Sequence, residues 1–133
     1  MYPKLDHCKT CVGWGWDPPG EGFVFPSGTG ANGVLLVFEA AGKNEAEQGK
    51  PLVGKAGFSF GRMLERGSLK RDDFKIANVL SCRPPNNKLS KMPWERAAIE
   101  HCSPILDKII DTMKPRCIVA GGDVALGRLL DSH

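Results

Sequence analysis

The sequence lacks the long apolar segments found in membrane and secreted proteins. No apolar run approaches the roughly 20 residues that a membrane-spanning helix needs. The opening residues, MYPKLDHCKTC, contain no apolar signal-peptide region. Internal repeats and low-complexity segments are also missing, which argues against repeat architectures. We therefore expect a cytoplasmic protein with no membrane partner.

The composition is that of a globular domain. The chain has 133 residues, of which 41% are hydrophobic and 25% are charged. This length predicts a single domain spanning residues 1–133 with a modest core. The net charge of +3 permits a polyanionic partner without requiring one.

Apolar runs and helical patterns alternate along the chain. The predicted strands are Val34–Phe38, Phe74–Leu80 and Cys117–Ala120. The predicted helices are Phe58–Glu65, a stretch from Pro93 to Met113 that is broken or kinked at Pro104, and Val124–Leu130. This order predicts an α/β core over residues 34–133 with a central parallel sheet. Residues 1–33 are rich in Gly and Pro, so we expect an irregular segment that needs an anchor. Cys117, inside an apolar run, is expected to be buried.

The segment that follows Val34–Phe38 is the most informative part of the sequence. About nineteen residues, including four glycines, precede the next helical pattern and are predicted to form a loop. Ligands of open α/β sheets bind outside the carboxyl ends of the strands, where this loop would lie. A phosphate-binding P-loop does not fit, because six residues separate Gly42 from Gly49 and Pro51 replaces the hydroxyl residue.

Polar residues also cluster after the second predicted strand. Asn78 is either a satisfied strand-end residue or an amide that reads the edge of a base, since it offers donors and an acceptor. Arg83, Lys88 and Lys91 flank a proline-rich loop. They are either solvated surface charges or groups that hold phosphates.

The cysteines suggest a metal site. Cys8 and Cys11 form a single C-x-x-C pair, whereas Cys82 and Cys102 stand alone. Zinc ribbons usually contain two such pairs, and only one is present here. The spacing therefore leaves open an iron–sulfur cluster, an irregular zinc site or uncoordinated thiols.

Two segments together resemble the family 4 uracil-DNA glycosylases. EAAGKNEAEQGKPLVGKAG is similar to that family's first motif, roughly G-E-A-P-G-x-x-E-D-x-x-G-x-P-F-V-G-x-A-G, and IANVLSCRPPNNK resembles its second motif. The chain departs from the first motif at Phe38, Ala41, Ala46 and Leu52, where the family has Gly, Pro, an acidic residue and an aromatic residue. The resemblance extends from about Lys4 to Leu130.

The resemblance implies a three-layer α/β/α fold and a set of site residues. Glu45 and Asn78 would be catalytic, and Glu39, Ala40, Leu52 and Asn78 would bind the base. Arg83, Lys88 and Lys91 would contact DNA. A 4Fe–4S cluster, with zinc as the alternative, would be held by Cys8, Cys11, Cys82 and Cys102 and would anchor residues 1–33.

The implied function is excision of uracil from single- or double-stranded DNA in base-excision repair by a monomer. The family has a further strand and a histidine loop that this sequence does not contain, so we expect this chain alone to excise uracil poorly. A non-cleaving nucleic-acid-binding relative and a small metal-stabilised interaction module are the alternatives.

Overall fold

A computed structural model describes residues 24–131. Its strands are β1 (Val34–Ala40), β2 (Lys75–Leu80) and β3 (Cys117–Ala120). Its helices are α1 (Lys43–Gln48), α2 (Lys55–Arg66), α3 (Glu95–Met113) and α4 (Asp123–Leu130). Short 3₁₀ turns occupy Arg71–Asp73 and Pro85–Asn87. Within this part of the chain, no helix combines the length and apolar character needed to cross a membrane.

The three strands form one parallel sheet in the order β2-β1-β3. The apolar sequence of β1 suits its central position, because a central parallel strand is covered on both faces. Leu35 and Val37 pack with Leu106 of α3 and Ala125 of α4. On the other face, Leu36 belongs to a second cluster. The predicted α/β fold and its parallel sheet are confirmed.

Helix α1 lies inside the segment that was predicted to be a structureless loop. The Glu45 side chain accepts a hydrogen bond from the backbone N–H of Gly42, which precedes the helix. Gly49 ends the helix with φ of 70°, a left-handed conformation that glycine adopts easily. The prediction was wrong because a helix of 6 residues is too short to show an apolar period.

Two other expectations concern Pro104 and Cys117. Helix α3 is not broken at Pro104 but continues through it, and Pro104 itself is exposed. Cys117 is exposed, not buried. It lies on β3 at the edge of the sheet, where Ile118 and Val119 are also exposed.

Candidate functional site

β1 and β2 place Phe38 and Asn78 side by side near the carboxyl ends of the strands. The parallel register pairs Phe38 with Asn78, just as it pairs Leu36 with Ile76. Side chains alternate along a strand, so both members of such a pair project from one face of the sheet. Phe38 packs against the cluster formed by Leu36, Ile76 and Leu52, which identifies that face.

The Asn78 side chain is buried and has no hydrogen-bond partner in the described part of the chain. The residue is only 8% exposed. Its amide makes no hydrogen bond to any residue in the described range 24–131. Buried polar side chains in native proteins almost always have a partner, and an Asn amide offers two donors and an acceptor. The amide is therefore suited to a ligand that presents a complementary edge.

The Glu45 carboxylate forms hydrogen bonds with the segment that connects α1 to α2. One carboxylate oxygen accepts from the N–H of Gly42 at 3.1 Å. The other accepts from the N–H groups of Val53 and Gly54 at 2.9 and 3.0 Å. A carboxylate offers about four lone-pair positions, so these three bonds leave capacity for about one more, such as a water molecule.

Arg71 binds the same connecting segment through the backbone carbonyls of that segment. Its guanidinium donates to the carbonyl oxygen of Leu52 at 2.7 Å and to that of Pro51 at 2.5 Å. The segment Pro51–Gly54 is thus fixed by Arg71 through two carbonyls and by Glu45 through two N–H groups. Sequence reasoning missed Arg71 entirely, because a single arginine before a strand carries no signal that it reaches back 19 residues.

Leu52, which the resemblance assigns to substrate binding, is mostly a core residue. It is 9% exposed and packs with Leu36 and Ile76. Its φ is +54°, which is unusual for a residue with a branched side chain. The backbone is tightly packed here, because a Cβ on Gly57 would lie 2.2 Å from the Leu52 carbonyl oxygen. Leu52 therefore contributes mainly to the core beneath Phe38 and offers little surface to a ligand.

Glu39 and Ala40 end β1 but differ in their surroundings. Glu39 lies between Phe38 and Ala40, so its side chain projects from the face opposite Asn78. Burial raises the pKa of the Glu39 carboxyl, and the negative charge of Glu95 on α3 raises it further. Ala40 packs against the cluster that contains Leu80 and Leu89. The structure therefore does not bring the Glu39 carboxylate together with the Asn78 amide.

The loop after β2 carries the predicted phosphate contacts. Arg83 donates from Nε to Oδ1 of Asn87 at 2.7 Å. Lys88 and Lys91 are exposed, and among residues 24–131 only their backbone groups take part in hydrogen bonds. Both lysines lie on the loop that follows β2, where their side chains are available to an anionic partner.

Cys82 and Cys102 come together although 20 positions separate them. The backbone N–H of Ser81, the residue before Cys82, lies 3.4 Å from Sγ of Cys102. Both cysteines are partly buried, and no disulfide joins them. Cys8 and Cys11 lie outside the described residues. Within residues 24–131, no set of three or more metal-ligating side chains occurs.

Comparison with known proteins places these features in a family. The profile of the uracil DNA glycosylase superfamily matches residues 25–132. A Type-4 uracil-DNA glycosylase from Sulfurisphaera tokodaii is 40% identical over 119 residues, covering 86% of this chain and 50% of the relative. The Type-4 enzyme from Pyrobaculum aerophilum is 39% identical over 113 residues, with coverages of 85% and 53%.

A third relative, the Type-4 uracil-DNA glycosylase of Thermotoga maritima, is 38% identical over 98 residues, covering 74% of this chain and 49% of its own length. The chain thus spans about half the length of the curated relatives it matches. The family profile covers most of the chain, including the whole parallel sheet and the buried amide of Asn78. This chain belongs to the uracil DNA glycosylase superfamily.

Proposed function

We propose that this chain is a glycosylase of base-excision repair that hydrolyses the N-glycosidic bond of uracil in DNA, with slow uracil release expected from these 133 residues alone. The observation that carries the proposal is the buried Asn78 amide, which has no hydrogen-bond partner within residues 24–131. The names of the similar proteins, Type-4 uracil-DNA glycosylases, support the same activity.

Asn78 would distinguish uracil from cytosine by the edge of the base. Uracil presents an acceptor at O4 and a donor at N3–H, which complement the amide NH₂ and carbonyl of asparagine. Cytosine presents the reverse pattern, so the amide NH₂ would meet a donor and the amide carbonyl would meet an acceptor. A base inside a duplex cannot reach a buried side chain, so the nucleotide must leave the stack first.

Glu45 would position the attacking water with its remaining acceptor capacity. The water oxygen bonds to C1′ of the sugar as the C1′–N1 bond breaks, and the electron pair of that bond leaves on uracil. The proton lost by the water passes to the carboxylate or to solvent. A carboxylate near C1′ also stabilises the positive charge that develops on the sugar.

The exposed cations would hold the DNA backbone. Lys88 and Lys91 are available to phosphates, and Arg83 lies on the same loop. Such contacts add affinity without sequence preference, for single-stranded or duplex DNA. We expect a monomer to suffice, because all the proposed groups come from one chain.

A 4Fe–4S cluster would be bound by Cys8, Cys11, Cys82 and Cys102, and the closeness of the Cys102 Sγ to the residue before Cys82 supports this proposal. The contact between Cys102 and the Ser81 N–H resembles the amide–sulfur hydrogen bonds that tune such clusters. The cluster would supply a structural crosslink between segments, with zinc as the alternative metal. Base excision needs no electron transfer, so the proposed chemistry rests on the protein side chains.

A second candidate function is binding of uracil-containing DNA without cleavage. It is favoured by the Glu45 carboxylate, which already accepts three backbone hydrogen bonds. In this case Glu45 would only shape the site, and excision would be undetectable while recognition by Asn78 remained.

The test compares wild type, Asn78→Ala and Gln48→Ala, which removes an exposed amide from α1. Each protein is assayed for uracil release from a single-stranded oligonucleotide and for binding to an uncleavable 2′-fluoro analogue. We expect Asn78→Ala to lower the preference for uracil over cytosine by about 10–100-fold, the effect of two lost hydrogen bonds. Gln48→Ala should behave as wild type. A preference that survives Asn78→Ala would overturn the proposal, whereas preference without release would support the binding function.

A further inference from the structure

We infer that the exposed side of α2 binds the phosphates of the DNA strand that flanks the flipped uracil. This surface consists of three cations, Lys55, Arg62 and Arg66, which we call the α2 stripe. The inference rests on the proposed function, because it concerns the DNA that carries uracil to Asn78. It adds a second phosphate-binding surface to the loop that follows β2.

The three cations lie on one side of the helix. An α-helix turns by about 100° per residue, so Lys55, Arg62 and Arg66 fall within about 40° of each other around its axis. The buried residues of the helix, Gly57 and Leu64, occupy the opposite side. With a rise of about 1.5 Å per residue, the stripe is about 16 Å long and can contact more than one phosphate.

The charges of the α2 stripe are not neutralised by neighbouring side chains. All three cations are exposed, and neither they nor Glu65, the one acidic residue of α2, make an ion pair within residues 24–131. Arg62 and Arg66 are four positions apart, a spacing at which like charges weaken a helix. By contrast, the arginines of α3 and α4 are paired, Arg96 with Glu100 at 3.1 Å and Arg128 with Asp107 at 2.6 Å. The stripe is therefore complementary to a polyanion.

The α2 stripe begins beside the proposed site. Lys55 directly follows Gly54, whose N–H donates to the Glu45 carboxylate at 3.0 Å. Phe60 of α2 packs with the apolar cluster on the face of the sheet from which Asn78 projects. DNA whose flipped uracil reaches Asn78 would therefore have its backbone near Lys55, and the stripe continues from there along the helix.

The residue types of the α2 stripe suit phosphate groups. The planar guanidinium groups of Arg62 and Arg66 can each bind a phosphate through two parallel hydrogen bonds, whereas Lys55 supplies a point charge. Contacts to phosphates position a strand without reading its bases. The stripe should therefore raise the affinity for uracil-containing DNA whatever the flanking sequence.

The test measures the salt dependence of binding to single-stranded 2′-fluoro oligonucleotides that extend beyond uracil on the 5′ side only or on the 3′ side only. Each phosphate contact on a single strand contributes about 0.7 to the slope of log K against log salt concentration. For one of the two designs, we expect Arg62→Gln combined with Arg66→Gln to reduce that slope by about 1.4, as two lost contacts require. The matched control combines Lys108→Gln with Lys114→Gln, which removes two exposed cations at and just beyond α3, on the other side of the sheet.

The control should keep the wild-type slope, and both double variants should keep the wild-type melting temperature, because all four positions are exposed. Equal changes of slope in the two double variants would show that net charge alone matters and would overturn the inference. An unchanged slope for both oligonucleotides would overturn it as well, and would leave an acidic protein segment as the partner of the stripe. Asn78→Ala separates the two proposals. If it abolishes the preference for uracil over cytosine while the stripe variant keeps its slope, the inference alone fails, whereas an intact preference in Asn78→Ala contradicts the proposed function.

Discussion

At the scale of single residues, Glu39 makes stability depend on pH. Burial raises the pKa of its carboxyl, and repulsion from Glu95 adds to the rise. An acid whose pKa is higher in the folded state contributes stability that is fully present below its unfolded pKa. That stability is lost as the pH rises through the folded value. Above that value, the Glu39 carboxylate is charged in the folded state, where burial and Glu95 destabilise that charge.

We therefore expect Glu39→Gln to raise the melting temperature near pH 7–8. The gain should disappear near pH 4, the ordinary pKa of glutamate, where wild-type Glu39 also becomes neutral. The matched control is Glu47→Gln, which removes the same charge from an exposed position on α1. Equal gains from both variants at pH 8 would show that net charge, and not burial of Glu39, governs the effect.

Residue roles were predictable from the sequence only where they lie inside a contiguous motif. Asn78 and Glu45 are recognisable as site residues because each falls in a contiguous motif, and their roles stay predictions. The contribution of Arg71 depends on carbonyls 19 and 20 positions away, which a local pattern cannot show. The burial of Leu52 likewise follows from contact with Ile76, more than twenty positions later.

At the scale of elements, the segment Pro51–Gly54 depends on a two-sided attachment. Arg71 donates to two of its carbonyls, and Glu45 accepts from two of its N–H groups. The planar guanidinium can make two parallel bonds, whereas a lysine ammonium is a single point of charge on a flexible stem. The segment should therefore loosen when Arg71 is replaced by lysine, even though the charge is kept.

We expect Arg71→Lys to speed amide hydrogen exchange at Val53 and Gly54. The free energy of unfolding should fall by about 1–3 kcal/mol, measured by urea denaturation, since a hydrogen bond from a charged donor is lost. Arg66→Lys, at an exposed position in the last turn of α2, should leave both quantities unchanged. Unchanged exchange at Val53 and Gly54 in Arg71→Lys would contradict the attachment.

At the scale of the whole molecule, the sheet and three of the four described helices were predictable, whereas α1 and the exposure of β3 were not. Three apolar runs separated by helical patterns were enough to predict β1, β2 and β3 in a parallel sheet. Periodicity could not reveal α1, which is held by the Glu45 side chain, or the exposure of Cys117, which depends on the edge position of β3. Strand order is a property of the assembled fold, and so is exposure.

The cysteine arrangement leads to the last prediction, which concerns the integrity of the whole chain. Cys82 lies just after β2, and Cys102 on α3 accepts a hydrogen bond from the neighbouring Ser81 N–H. A metal bound by these two residues with Cys8 and Cys11 would link the first residues of the chain to this core. Metal binding of this kind contributes directly to folding free energy. We therefore expect anaerobically purified protein to be brown, with broad visible absorption and about four irons per chain, as a 4Fe–4S cluster requires.

Cys102→Ala should lose the colour and iron and melt at a lower temperature, because one of four ligands is gone. Cys117→Ala provides the matched control, since it removes an exposed thiol from β3 that the proposed site does not use. It should keep its iron. Colourless protein with stoichiometric zinc would contradict the 4Fe–4S cluster. It would favour zinc, because four cysteines also satisfy tetrahedral zinc. Equal iron loss in both variants would instead show that Cys102 has no specific role as a ligand.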